Sequence, residues 1–134
     1  MSKETDIYKA LSTYLSLKHK GLIWRFDFAA GTKMTFGQSN SHKSMNPHRG
    51  YPDFFLAEPI GIYSGLYIEI KKAGCSPFKK DGLLKSGEHL KEQQTMLQKL
   101  HTKGYMTLFC TGLDECIETI ENYLKLKENE TTNN

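Results

Sequence analysis

Gly65-Leu66-Tyr67-Ile68-Glu69-Ile70-Lys71 is the most strand-like run in the chain, and its reading decides the fold. Strand side chains alternate between faces, so Leu66, Ile68 and Ile70 share one side while Tyr67, Glu69 and Lys71 share the other. The first set can line a core. The second stands a carboxylate beside an ammonium. Taken alone, an acid and a lysine two residues apart describe a strand with one solvated face.

The preceding strand changes that reading. Asp53-Phe54-Phe55-Leu56-Ala57 is a short apolar run introduced by Gly50 and Pro52. Proline has no N–H for a ladder and suits the first residue of a strand, whereas aspartate has low strand propensity. Short connections favour pairing of consecutive strands, which would bring Asp53 and Glu69 together on one hard cation. Magnesium takes oxygen ligands, keeps several waters and typically uses one or two protein carboxylates. The expected ligands are Asp53, Glu69 and the backbone carbonyl of Ile70. Lys71 would then orient a water and stabilise charge developing on phosphoryl oxygens.

Outward from these strands, Leu22 to Phe28 and Tyr105 to Cys110 read as two more. Lys3 to Lys18 reads as a helix with Ile7, Ala10, Leu11, Tyr14 and Leu17 on its stripe; Glu88 to Lys103 carries Leu90, Leu97 and Leu100; Asp114 to about Leu126 carries Ile117, Ile120 and Leu124. Ala29 to Gly50 is polar and reads as a long irregular stretch of the kind that carries function. The order α-β-β-β-α-β-α suits an α/β domain with a mixed four-stranded sheet flanked by helices. Residues 1–127 read as one domain and 128–134 as a polar tail. Two polar residues fall in line with apolar stripes: Glu4, three before Ile7, and Gln93, between Leu90 and Leu97. A buried amide needs partners, and Gln93 could orient the lysine, a water or a phosphate. Glu4 is a further candidate ligand, although an acid in a first turn also complements the helix dipole.

With 134 residues, 38% hydrophobic and 25% charged, the chain has the make-up of one globular domain. It contains no apolar run of the roughly 20 residues that span a bilayer, and its start lacks an apolar signal core. No membrane partner is expected, and a cytoplasmic location is. The three cysteines include no CxxC pair, so neither a disulfide framework nor a zinc site is expected, and Cys110 reads as a core residue. His42, His48, His89 and His101 lack zinc-ligand spacing; His48, near Asp53 in sequence, is the histidine candidate for a general base. The net charge of +3 is unevenly spread. Lys33, Lys43, Arg49, Lys71, Lys72, Lys79, Lys80 and Lys85 outweigh Asp53, Glu58, Glu69 and Asp81 in the middle, whereas the C-terminal part is acidic. Such a basic middle suits a phosphate-facing surface. Arg25, Lys33, Lys43, Arg49, Lys72, Lys79 and Lys80 are its candidate nucleic-acid contacts.

The chain resembles the virus-type replication–repair branch, VRR-NUC, of the PD-(D/E)xK nuclease superfamily. The resemblance is carried by Lys3 to Leu11, Trp24-Arg25-Phe26 with Ala30-Gly31, Arg49 to Asp53, Leu66 to Lys72, and Glu88 to Gln93. Leu97, Leu100, Gly104-Tyr105 and Gly112 to Glu115 complete it. The resemblance implies a restriction-endonuclease-like core and DNA cleavage dependent on Mg2+ or Mn2+. It also implies that Asp53 and Glu69 bind metal, Lys71 is the catalytic lysine, Glu4 the helical acid and Gln93 the accessory glutamine. Stand-alone members resemble phage-encoded enzymes acting on branched DNA, which makes junction DNA the expected partner, a homodimer a candidate state and the host cytoplasm the location. Two rivals stand beside this expectation: a catalytically silent DNA-binding module, and a nuclease acting on RNA. Paired acids facing a polyanion argue against the first, because they repel phosphate unless a cation intervenes.

Overall fold

The structure is a computed structural model and describes residues 4–27 and 35–132, with side chains described as far as Leu126. Helix α1 (Glu4–Lys18) is followed by β1 (Trp24–Phe26), α2 (Phe36–Met45), β2 (Phe54–Leu56), β3 (Leu66–Lys71), α3 (Glu88–Thr102), β4 (Met106–Thr111) and α4 (Leu113–Thr132). The four strands form one sheet in the order β1-β2-β3-β4. β1 with β2 and β2 with β3 are antiparallel, whereas β3 and β4 are parallel, as they must be when α3 serves as the crossover between them. The mixed four-stranded sheet and the pairing of the second and third strands are as expected.

The core lies on one face of the sheet. Leu66, Ile68 and Ile70 meet Phe54 and Leu56 of β2, Cys110 of β4, Ile7, Leu11 and Leu15 of α1, and Cys116, Ile120 and Tyr123 of α4. The buried stripe of α1 is Ile7, Tyr8, Leu11 and Leu15; Leu17, expected on it, is 74% exposed. At the far end of α1 and α4, Glu121 accepts hydrogen bonds from Tyr14 and His19. On the opposite face α3 packs against β4 with Met96 and Leu97 buried, Thr107 Oγ1 donates to the Leu97 carbonyl at 2.9 Å, and Tyr67 and Glu69 of β3 are buried as well. Both sides of β3 are therefore covered, and the solvated face considered for it does not exist.

One element departs from the expected order. α2 stands inside the stretch read as irregular, so the order is α-β-α-β-β-α-β-α. Thr35 caps it: its side chain accepts from the Gln38 N–H while the Gln38 side chain accepts from the Thr35 N–H, a reciprocal capping box. None of its residues is buried, which is why apolar periodicity did not reveal it. α4 also runs to Thr132, beyond Leu126, where its apolar pattern ends. The lysine-rich stretch after β3 is anchored by a bridge between Phe78 and Leu84, with Phe78 edge-on to Phe109 at 5.7 Å between ring centroids. Cys110 and Cys116 are buried free thiols and Cys75 is an exposed one.

Candidate active site

Three polar side chains are buried among the described residues: Asp53 at 3% exposure, Glu69 at 5% and Gln93 at 5%. All three line one cleft of about 1050 Å³, together with Arg25, Asp27 and His48 among others. Burying an ionised carboxylate without a partner is costly, so two of them in one cleft call for a cation, a proton or strong donors.

Asp53 has the donors. Tyr8 Oη donates to its Oδ2 at 2.5 Å, and the Ile70 N–H donates to its Oδ1 at 2.7 Å. The second bond follows from where the ladder ends. β2 and β3 are paired as far as Phe54 with Ile68, and one further step along that register sets Asp53 opposite Glu69. There Asp53 puts its side chain, rather than its backbone, against β3. The Asp53 carbonyl meanwhile accepts from the Asp27 N–H at 2.8 Å. The turn before it is equally constrained. Gly50 has φ +74°, and a Cβ there would lie 2.6 Å from the Glu92 carbonyl oxygen of α3. Only glycine fits that contact in that conformation. Pro52 is fully buried, so the aspartate is held from both sides.

Glu69 is the contrasting case. Among the described residues, no hydrogen bond or ion pair reaches its carboxylate. Burial first, and then the charge of Asp53, push its pKa well above the carboxylate range; the nearby Lys71 opposes this, and Glu4 and Asp27 add to it. Burial also raises Asp53, against the lowering effect of the Tyr8 and Ile70 hydrogen bonds. Without a cation the pair therefore holds a proton near neutrality. Burial and the charge of Asp53 push the Tyr8 hydroxyl upward, which keeps it a donor.

Lys71 stands on the Glu69 face of β3, half-buried beside the Phe109 ring with Nζ 5.9 Å from its centroid. Nζ donates to Gln93 Oε1 at 2.7 Å, and Gln93 Nε2 lies 3.1 Å from His89 Nε2. Lys71 itself is not on the cleft wall but is tied to it through Gln93. Glu4, half-buried in the first turn of α1, is close enough that its charge raises both Asp53 and Glu69.

The donor set suits a hard cation. No three carboxylate, histidine or cysteine side chains are gathered closely enough to hold an ion by themselves among the described residues. Asp53 and Glu69 are the buried carboxylates that could serve as side-chain ligands, and magnesium typically uses one or two. The Ile70 carbonyl is also well directed. The Ile70 N–H points to the β2 side, where it meets Asp53, and the next carbonyl, of Lys71, points the other way to the Gly112 N–H at 2.8 Å. In a strand, the N–H and C=O of one residue face the same edge, so the Ile70 carbonyl faces the opening beside Asp53.

The expected phosphate contacts divide. Arg25 lines the cleft. Lys43 is exposed on α2, and Arg49 is 85% exposed in its side chain, 4.0 Å from Glu92. Lys72, Lys79 and Lys80 are exposed but do not line the cleft. Lys33, Phe28 and the Ala30-Gly31 step lie outside the described residues. Two site residues were not foreseen. Tyr8 gave no signal beyond its place on the buried side of α1, and Asp27 none beyond strand alternation.

This arrangement is that of an α/β domain with a buried acid pair at the divergence of two antiparallel strands and a lysine beside it. A solved structure described as "VRR_NUC domain protein" shares the fold: TM-score 0.66 and 22% identity, over 94% of this chain and 91% of that one. No protein-family model matches the chain, and neither does any curated protein.

Proposed function

We propose that this chain is a metal-dependent DNA endonuclease of the PD-(D/E)xK type, hydrolysing phosphodiester bonds at Asp53, Glu69 and Lys71. One observation carries the reading. The buried polar side chains of the described residues are two acids and the glutamine that holds a lysine, all at one cleft. A scaffold that only gripped DNA would gain nothing from sequestering two carboxylates beside a polyanion. The shared fold with a VRR_NUC domain protein supports the same reading.

In this mechanism Asp53 and Glu69, with the Ile70 carbonyl, would hold Mg2+ or Mn2+. The ion would supply Lewis acidity to the scissile phosphate and lower the pKa of a water. Tyr8 and the Ile70 N–H fix the Asp53 carboxylate so that its geometry does not have to be found during the reaction. Lys71, positioned by Gln93, directs its ammonium at the phosphoryl oxygens, where negative charge accumulates in the transition state. Glu4 adds negative charge that favours cation binding. Arg25 contacts the backbone of the bound strand, and Lys43 and Arg49 on the neighbouring segment extend that contact.

Branched DNA is the substrate class we assign, on the resemblance of the motifs to enzymes of that kind, with a homodimer formed where two strands are cut together. The test uses plasmid, linear duplex, single-stranded DNA, a four-way junction and an RNA duplex, with Mg2+, Mn2+ or chelator. Cutting is expected to need the metal, to favour the junction, and to fall by at least about a hundredfold in Asp53→Ala and Lys71→Ala. Cutting in chelator would overturn the mechanism. Binding without cutting on every substrate would make the chain a silent module, and cutting confined to RNA would replace the substrate.

A further inference from the structure

The lysine of the proposed site is held through a chain of two hydrogen bonds whose polarity can be worked out from chemistry alone. An ammonium can only donate. The Gln93 atom 2.7 Å from Lys71 Nζ is therefore its carbonyl oxygen, and its NH2 group is the one turned to His89. That NH2 can only donate. His89 Nε2, 3.1 Å away, must accept, so it carries no proton and the ring is neutral with its proton on Nδ1.

Burial gives this arrangement its weight. Gln93 is 5% exposed, so an amide that lost its partner would not readily find water in exchange. Turning the amide over would set an NH2 against an ammonium. His89 sits in the first turn of α3, one helical turn before Gln93, and is exposed at the cleft wall that Gln93 also lines.

We propose that His89 is a positioning residue: its unprotonated Nε2 accepts from the Gln93 amide and so keeps the Gln93 oxygen on Lys71. Among the described residues His89 makes no hydrogen bond to the acid pair; it acts through Gln93 on the direction of the ammonium. The inference rests on the nuclease reading for its effect on rate, but not for its hydrogen-bond polarity.

Two measurements test it. Long-range proton–nitrogen correlation NMR on the 15N-labelled full chain reads the His89 ring directly, and a proton on Nδ1 with Nε2 bare is expected. A proton on Nε2 in the neutral ring would overturn the proposal, whatever the protein cuts. The second compares His89→Leu, which removes the acceptor, with His89→Gln, which returns a neutral acceptor at similar reach. With Mg2+ and junction DNA, His89→Leu is expected to lower kcat by about tenfold with KM little changed, and His89→Gln to stay within about threefold of the native rate. Native kcat in His89→Leu, or an equal loss in both variants, would overturn it. A native chain that cuts no substrate would sink the nuclease reading instead, and the ring proton would still decide the hydrogen-bond chain.

Discussion

Glu69 is placed where a carboxylate is least comfortable: 5% exposed, with another acid across from it. Its cost to the fold follows from the sign of its shift. Below pH 4.5, the ordinary value for this group, the folded and unfolded forms are both protonated and the residue contributes nothing. Above that value the unfolded chain releases the proton while the folded chain keeps it, so stability declines as pH rises towards the raised folded value. Glu69→Gln should therefore melt like the native chain at pH 4.5 in chelator and be more stable at pH 8, by more than about 1 kcal/mol. Urea melts from pH 4.5 to 8 check this; parallel curves for the two proteins at every pH would refute it. The residue scale is also where the sequence was most legible. Asp53 and Gln93 each break a local pattern, an acid in an apolar strand and an amide on an apolar stripe, while Glu69 follows its strand's alternation; all three are buried at the cleft. Tyr8 breaks no pattern, since a tyrosine on a buried stripe is ordinary core. Its hydroxyl's role appears only when α1 and β2 come together.

Among the elements, the turn before β2 and helix α2 bear opposite relations to the fold. Gly50 is pressed on the α3 backbone with a positive φ, so Gly50→Ala should destabilise by about 2 kcal/mol, lowering Tm by several degrees in a thermal melt and cutting activity as Asp53 shifts. Helix α2 buries nothing. Replacing Phe36–Met45 by a glycine–serine linker should leave Tm within about 2 °C while raising the Kd for duplex DNA by about tenfold at low salt, measured by fluorescence anisotropy. A collapse of Tm would show that α2 is part of the packed body. That same feature explains why α2 escaped notice. Periodicity records which face of a helix is buried, and a helix with no buried face leaves no such record. The only trace is Thr35 three residues before Gln38, a capping signature too short to stand alone in a polar stretch. The strands were legible for the converse reason. β3 pairs on both edges and its apolar face fills the core, so its alternation is strong.

On the scale of the whole molecule, the proposed metal site would link ion binding to folding. A ligand that binds only the folded chain stabilises it by an amount that grows with its concentration. Mn2+ or Mg2+ should therefore raise Tm in a dose-dependent way. The effect should be greater at pH 8 than at pH 6, because the proton held by Asp53 and Glu69 must leave as the ion enters. Asp53→Ala should abolish the increment. Differential scanning calorimetry across the two pH values checks both statements, and an equal increment in native and variant chains would place the ion elsewhere. Glu121 contributes a pH dependence of the opposite sign. Glu121 tends to be raised by burial, but its hydrogen bonds from Tyr14 and His19 and the charges of His19 and Lys18 outweigh that and hold it down at about 2. Its contribution is present above the ordinary 4.5 and fades as pH falls towards 2. No described helix is long and apolar enough to cross a membrane.

The distribution of the three sulfurs has a practical consequence. Cys75 is open to solvent on the turn that follows β3, four positions after Lys71, while Cys110 and Cys116 are sealed in the interior. A maleimide dye added to the native chain would thus attach at a single place, close along the backbone to the lysine yet outside the cleft wall. The molecule carries its own handle for watching ions and oligonucleotides arrive by fluorescence, with no engineered cysteine required.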